Sequence, residues 1–154
     1  MYSSLLFFHS LVRWLVLGSL LYSIVRAYTG LNTHRVFTKT DNAIRHWTAT
    51  IAHIQLVLGF TLYLNSPIIK YFFANFKQEM QRIDLAFFGI IHSLLMLAAI
   101  VFITIGSALA KRKPTDSEKF RTMLLWFSMA LILIFVAIPW PFSPLANRPY
   151  LRSY

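Results

Sequence analysis

The sequence predicts an all-α polytopic membrane protein, a four-transmembrane-helix bundle with a short interfacial amphipathic helix between helices 2 and 3. Three observations predict it. Hydrophobic residues make up 57% of the 154 residues and charged residues 13%, against about 25% charged in an ordinary soluble domain. Mean hydropathy is +0.59. The apolar residues gather into four runs, each about as long as the roughly 20 residues a helix needs to cross a bilayer. Runs this continuous are not the alternating segments of a barrel, and within lipid only helices and closed barrels satisfy their backbone polar groups. The length suits a single domain, 1–154.

The first run extends from about Ser4 to Tyr28. Met1-Tyr2-Ser3-Ser4 carries no positive charge and no small-residue cleavage pattern follows, so the run reads as a retained span rather than a signal peptide. The second extends from about Ala43 to Leu64. In the following loop Ile69, Phe72, Phe73, Phe76, Met80 and Ile83 recur at helical spacing, while Lys70, Lys77, Gln78 and Gln81 take the other face. That pattern predicts a helix over 69–83, either lying in the outer interface or capping the bundle. The third span runs from about Leu85 to Ala108 and the fourth from about Phe120 to Pro139. Lys113-Pro114-Thr115-Asp116-Ser117-Glu118 reads as a turn, with Asp116 or Ser117 capping the fourth helix. Pro139, Pro141, Pro144 and Pro149 end that helix because each lacks a backbone donor. Trp140 and Phe142 are expected at headgroup level.

The net charge is +10, from 15 basic and 5 acidic residues. The bases lie between apolar runs, so membrane lipids, not nucleic acid, are the expected counter-charge. Arg26, Arg35, Lys39 and Arg45 surround the first loop, and Lys111, Arg112, Lys113, Lys119 and Arg121 the third. Lys70, Lys77, Arg82, Arg148 and Arg152 lie on the other side. Nine bases against five place loops one and three in the cytoplasm and both termini outward. The chain has no cysteine, which excludes disulfides, Cys-ligated metals, covalent c-type haem and a thiol nucleophile.

An ionisable residue inside a span is costly and is a functional hypothesis by default. Span one holds His9 and Arg13, span two His53, span three His92; span four holds none, and no acidic residue lies deep in any span. At about 1.5 Å per residue from the outward ends, His9 is roughly 8 Å down, His92 roughly 12 Å and His53 roughly 16 Å. Three imidazoles from three helices therefore share one half of the bundle. Two histidines on different helices can ligate one haem iron from opposite faces, and bundle cores are common cofactor sites. Gly89, three residues before His92, offers a ring room to approach. Arg13, one turn from His9, is placed to meet a propionate, or else snorkels as an anchor. Met96 is an alternative sulfur ligand or a packing residue. His46, beside Arg45 and Trp47 at the cytoplasmic end, shares a face with His53, but a second haem there lacks a partner histidine. A three-histidine copper or zinc site is the other metal reading. Interhelical hydrogen bonding alone is the bland one. No carboxylate pair, Gly-rich phosphate loop or nucleophilic triad is present. No proline breaks a span interior as in many transporters.

Leu6-Phe7-Phe8-His9-Ser10-Leu11-Val12-Arg13-Trp14, Ile51-Ala52-His53-Ile54-Gln55-Leu56-Val57-Leu58-Gly59, Ile91-His92-Ser93-Leu94-Leu95-Met96 and the ending Ile138-Pro139-Trp140-Pro141-Phe142 carry a resemblance. In layout the chain resembles small bacterial four-helix membrane proteins of the b-type cytochrome-like kind. The resemblance implies a multi-pass protein of the bacterial cytoplasmic membrane that holds haem b on His53 and His92, with His9 as the alternate ligand and Phe87 and Phe88 as ring neighbours. Many such cytochromes carry two histidine pairs. With three deep histidines, this chain is expected to bind one haem and pass single electrons, with quinone as a candidate partner. The competing expectation is a non-enzymatic accessory or structural subunit of a larger respiratory or secretion complex, without its own cofactor. Other membrane subunits or a second copy are then the partners.

Overall fold

The computed structural model describes residues 2–146 and 148–150. Met1, Asn147 and residues 151–154, which include Arg152 of the sparser basic side, lie outside the described residues. Among the described residues the chain is helical throughout, with α1 (Tyr2–Asn32), α2 (Lys39–Asn65), α3 (Pro67–Ala74), α4 (Phe76–Glu79), α5 (Ile83–Ala86), a π-helical turn (Phe87–Ile91), α6 (His92–Arg112) and α7 (Asp116–Ala137). Four continuous helices are long and apolar enough to cross a membrane: Tyr2–Asn32, Lys39–Asn65, Ile83–Arg112 and Asp116–Ala137. The fold is that of a multi-pass, four-helix membrane bundle.

α2 and α7 start before their predicted spans because polar caps lengthen them past the apolar run, whereas α7 ends at Ala137, two residues short of the expected Pro139. Thr38 caps α2 in a reciprocal box: its hydroxyl accepts from the Asp41 N–H at 3.2 Å, and Asp41 accepts from the Thr38 N–H at 3.0 Å. Thr115 and Glu118 form the same box at the start of α7. The cap there is Thr115, rather than the expected Asp116 or Ser117. At the other end of α1 the backbone closes with Arg35 N–H donating to the Gly30 carbonyl at 3.1 Å and His34 N–H to that of Leu31 at 3.4 Å. This double bond pattern requires a left-handed residue at its corner. His34 supplies it, with φ 51°.

The expected helix over 69–83 is broken. α3 ends at Asn75, where the side-chain amide donates to the Tyr71 carbonyl at 3.0 Å, a local bond that competes with helix continuation. Ile69 and Phe72 pack inward, whereas Phe73, Phe76, Met80 and Ile83 stay exposed. The segment caps the bundle with its first half and shows apolar side chains outward with its second.

α1 packs against α2 and α7, α2 against α6, and α6 most extensively against α7. This closed cycle sets α1 and α6 on one diagonal. Small residues line the seams: Ser23 and Ala27 on α1, Ala49 and Ala52 on α2, Ala99, Gly106 and Ala110 on α6, and Ala130 and Ala137 on α7 are all buried. Such residues let membrane helices approach closely. Outward, Leu15, Val57, Leu94 and Ile132 are each more than half exposed. An apolar exterior around a small-residue interior is what a lipid solvent selects.

Candidate functional site

His92 is the first residue of α6, directly after the π turn. Its Nδ1 lies 2.7 Å from the Ala137 carbonyl. That carbonyl is free for a definite reason: its next helical partner is the nitrogen of Pro141, which has no hydrogen. The same logic holds two residues earlier. Pro139 orphans the Phe135 carbonyl, which instead accepts from Trp140 Nε1 at 2.8 Å. Since a carbonyl only accepts, His92 carries its proton on Nδ1. This leaves the Nε2 lone pair for another partner, the arrangement that second-shell bonds impose on histidine ligands.

His9 faces His92 across the diagonal. The ring centroids are 6.4 Å apart and the planes are inclined by 72°. Two imidazoles that hold one metal from opposite sides, at roughly 2 Å per metal–nitrogen bond, have ring centres roughly 6 Å apart. Gly59 of α2 makes room for His9: a Cβ there would sit 3.1 Å from His9 Cε1. One turn earlier, the Gln55 amide donates to the His9 carbonyl at 2.9 Å and lies 3.5 Å from His9 Nε2. Phe87 and Phe88 flank the His92 ring at 5.8 and 6.4 Å. The Arg148 guanidinium lies 4.9 Å from the centre of the Phe88 ring.

His53 does not join this pair. Its Nε2 lies 2.9 Å from Thr104 Oγ1, whose own hydrogen goes to the Ile100 carbonyl at 2.7 Å. His53 Nε2 is therefore the donor, and its side chain is exposed at the bundle surface. Thr104 lies 12 residues beyond His92 on α6, roughly 18 Å along the axis. The structure therefore places His9, rather than the expected His53, beside His92. The cause is helix polarity. Side chains tilt toward the N-terminus of their helix. α1 and α6 start at the same end of the bundle, so His9 and His92 lean toward it. α2 runs the other way and carries His53 away from them. Gln55 lies about 200° round α2 from His53, which turns the glutamine toward α1.

Gly89 packs against the α3 cap. A Cβ there would lie 2.5 Å from the Phe72 ring, and its carbonyl accepts from the Tyr63 hydroxyl at 2.6 Å. Its missing side chain admits Phe72 rather than a cofactor ring. Arg13 donates to the Tyr150 carbonyl, which Trp14 Nε1 shares at 3.2 Å. Met96 packs against the buried core. His46 is exposed and rests edge-on against Trp47 at 6.0 Å. Among the described residues no three His, Cys, Asp or Glu side chains converge to hold a metal, so the three-histidine site does not form.

Five buried side-chain atoms lack a hydrogen-bond partner among the described residues: His9 Nδ1, Arg13 Nε, Gln55 Oε1, Arg148 Nε and Glu79 Oε2. The first three belong to His9 itself, the cation one turn along its face and the amide that touches it. Arg148 reaches the site through Phe88. Gln55 and Gly59 went unnoticed in the sequence, although an amide inside a span with a glycine one turn on is a readable signal. No protein-family model, curated protein or solved structure matches the chain.

Proposed function

We propose that this protein is a b-type cytochrome-like subunit of the bacterial cytoplasmic membrane that holds one haem on His9 and His92 and passes single electrons, with quinone as its candidate partner. The observation that carries the reading is the diagonal imidazole pair at 6.4 Å, with His92 Nδ1 bonded to Ala137 so that Nε2 is free. The unpartnered polar atoms around His9 fit a site that takes a group from outside the chain. When bound, haem supplies one-electron chemistry. The chain's own part is to fix two ring orientations, to set Phe87 and Phe88 beside His92, and to exclude water with the α3 cap. Arg13 and Arg148 bring positive charge to this end, suited to propionate carboxylates. The basic excess around the loops at the opposite end supports a cytoplasmic placement of those loops, with the chain termini outward.

The absorption spectrum of the protein purified from membranes tests this. A Soret band and a pyridine haemochrome of the b type are expected, with about one haem per chain. His9→Ala and His92→Ala are expected to lose the pigment, whereas His53→Ala keeps it. Loss in His53→Ala with retention in His9→Ala would restore the His53–His92 pair and overturn the assignment. A pigment-free protein isolated in a defined complex would favour the accessory-subunit reading.

A further inference from the structure

At the end of the bundle opposite His9 and His92, a cavity of about 250 Å³ opens where α2 starts, α6 ends and α7 starts, lined by Phe37, Thr38, Lys39, Asn42, Lys111 and Lys119. Three lysines from three helices line it, and no Asp or Glu is among its lining residues. Lys39 and Lys111 form no ion pair among the described residues. Lys119 meets Asp116 at 3.6 Å and lies 5.5 Å from the centre of the Phe37 ring. Three nearby arginines are already engaged. Arg26 and Arg35 converge on Asp41 at 2.7 and 3.0 Å, and Arg45 bonds Ser107 and Asn42. Arg112, Lys113 and Arg121 add positive charge at the same end outside the pocket lining.

Two further features suit an anion. Asn42 uses its carbonyl oxygen on Arg45 at 2.9 Å, which leaves its NH2 donors free. Thr38 and Lys39 open the 27-residue helix α2, so the positive end of its dipole faces the same space. Phe37 gives the pocket an apolar wall, and the adjoining Val36 is 66% exposed. A basic pocket between membrane helices at the polar boundary, with apolar side chains beside it, matches a headgroup whose phosphate enters while its acyl chains stay in lipid.

We propose that this pocket binds the phosphate of an anionic phospholipid headgroup. The site lies at the far end from His9 and His92, so binding does not depend on haem. Native mass spectrometry of the full chain, released from mixed micelles of phosphatidylglycerol and phosphatidylcholine, tests it. One retained phosphatidylglycerol per chain is expected. The combined Lys39→Gln, Lys111→Gln, Lys119→Gln variant is expected to bind it roughly 100-fold more weakly, whereas Lys70→Gln, Lys77→Gln at the other end binds it like the parent. Equal retention of both lipids, or an unchanged affinity in the triple variant, overturns the proposal. Displacement of the retained lipid by millimolar inorganic phosphate also overturns it, because the pocket would then be a soluble-phosphate site.

Discussion

The two ends of this bundle handle polar groups in opposite ways. At the basic end nearly every buried polar atom is spoken for. Asp41, 1% exposed, accepts from Thr38, Arg26 and Arg35 together. Arg45 is held by Ser107 and Asn42. The Ser23 and Thr48 hydroxyls meet at 2.7 Å. At the histidine end, His9, Arg13, Gln55 and Arg148 each keep a buried atom with no partner. A buried unpaired polar atom costs about 1–3 kcal/mol, so the second arrangement is worse for folding alone. The contrast separates a part built for stability from a part that is open to a ligand.

Substitutions at each end sharpen that contrast. The largest effect is expected at Asp41: Asp41→Ala leaves two arginines facing each other and loses about 3 kcal/mol, read as a lower melting temperature of the purified protein in detergent. At the histidine end the sign reverses. His9→Leu removes an unpartnered ring nitrogen and keeps apolar volume, so the haem-free protein is expected to gain about 1 kcal/mol while pigment binding is lost. A destabilised His9→Leu protein would place that imidazole among the structural groups and dissolve the contrast. The smallest effect is expected at His34, which adopts φ 51° at the close of α1. His34→Gly relieves a left-handed side chain and is expected to raise stability by about 0.5 kcal/mol, with pigment content unchanged.

Hydropathy alone made the four spans legible, because lipid demands long apolar helices and leaves few alternatives. It misplaced their ends. Thr38, Asp41, Thr115 and Glu118 extend α2 and α7 by satisfying backbone donors, and an apolar count cannot register them. The helical period over 69–83 was real, but Asn75 interrupts it through a bond to the Tyr71 carbonyl. The histidines were legible as candidates and not as a pair. Counting residues gives the depth of a Cα atom, whereas helix direction sets where the ring ends up, and the two disagree most for His53. Ala137 shows a third kind of limit. Its role depends on Pro141 having no hydrogen and on His92 arriving from another helix, a coincidence that only the folded chain displays.

The π turn at Phe87–Ile91 has a consequence for how this chain tolerates change. Such a turn is an α-helix with one residue added, so the stretch before it is rotated by about 100° relative to the stretch after it. Here Gly89, within the turn, meets Phe72 of the cap, and His92, directly after it, meets Ala137 of α7. Deleting a single residue within 87–91 would yield a more regular helix with better-formed backbone bonds. It would also turn one of those two contacts out of place. Length in this stretch is thus constrained more tightly than side-chain identity, and insertions or deletions there are expected to be more damaging than most substitutions.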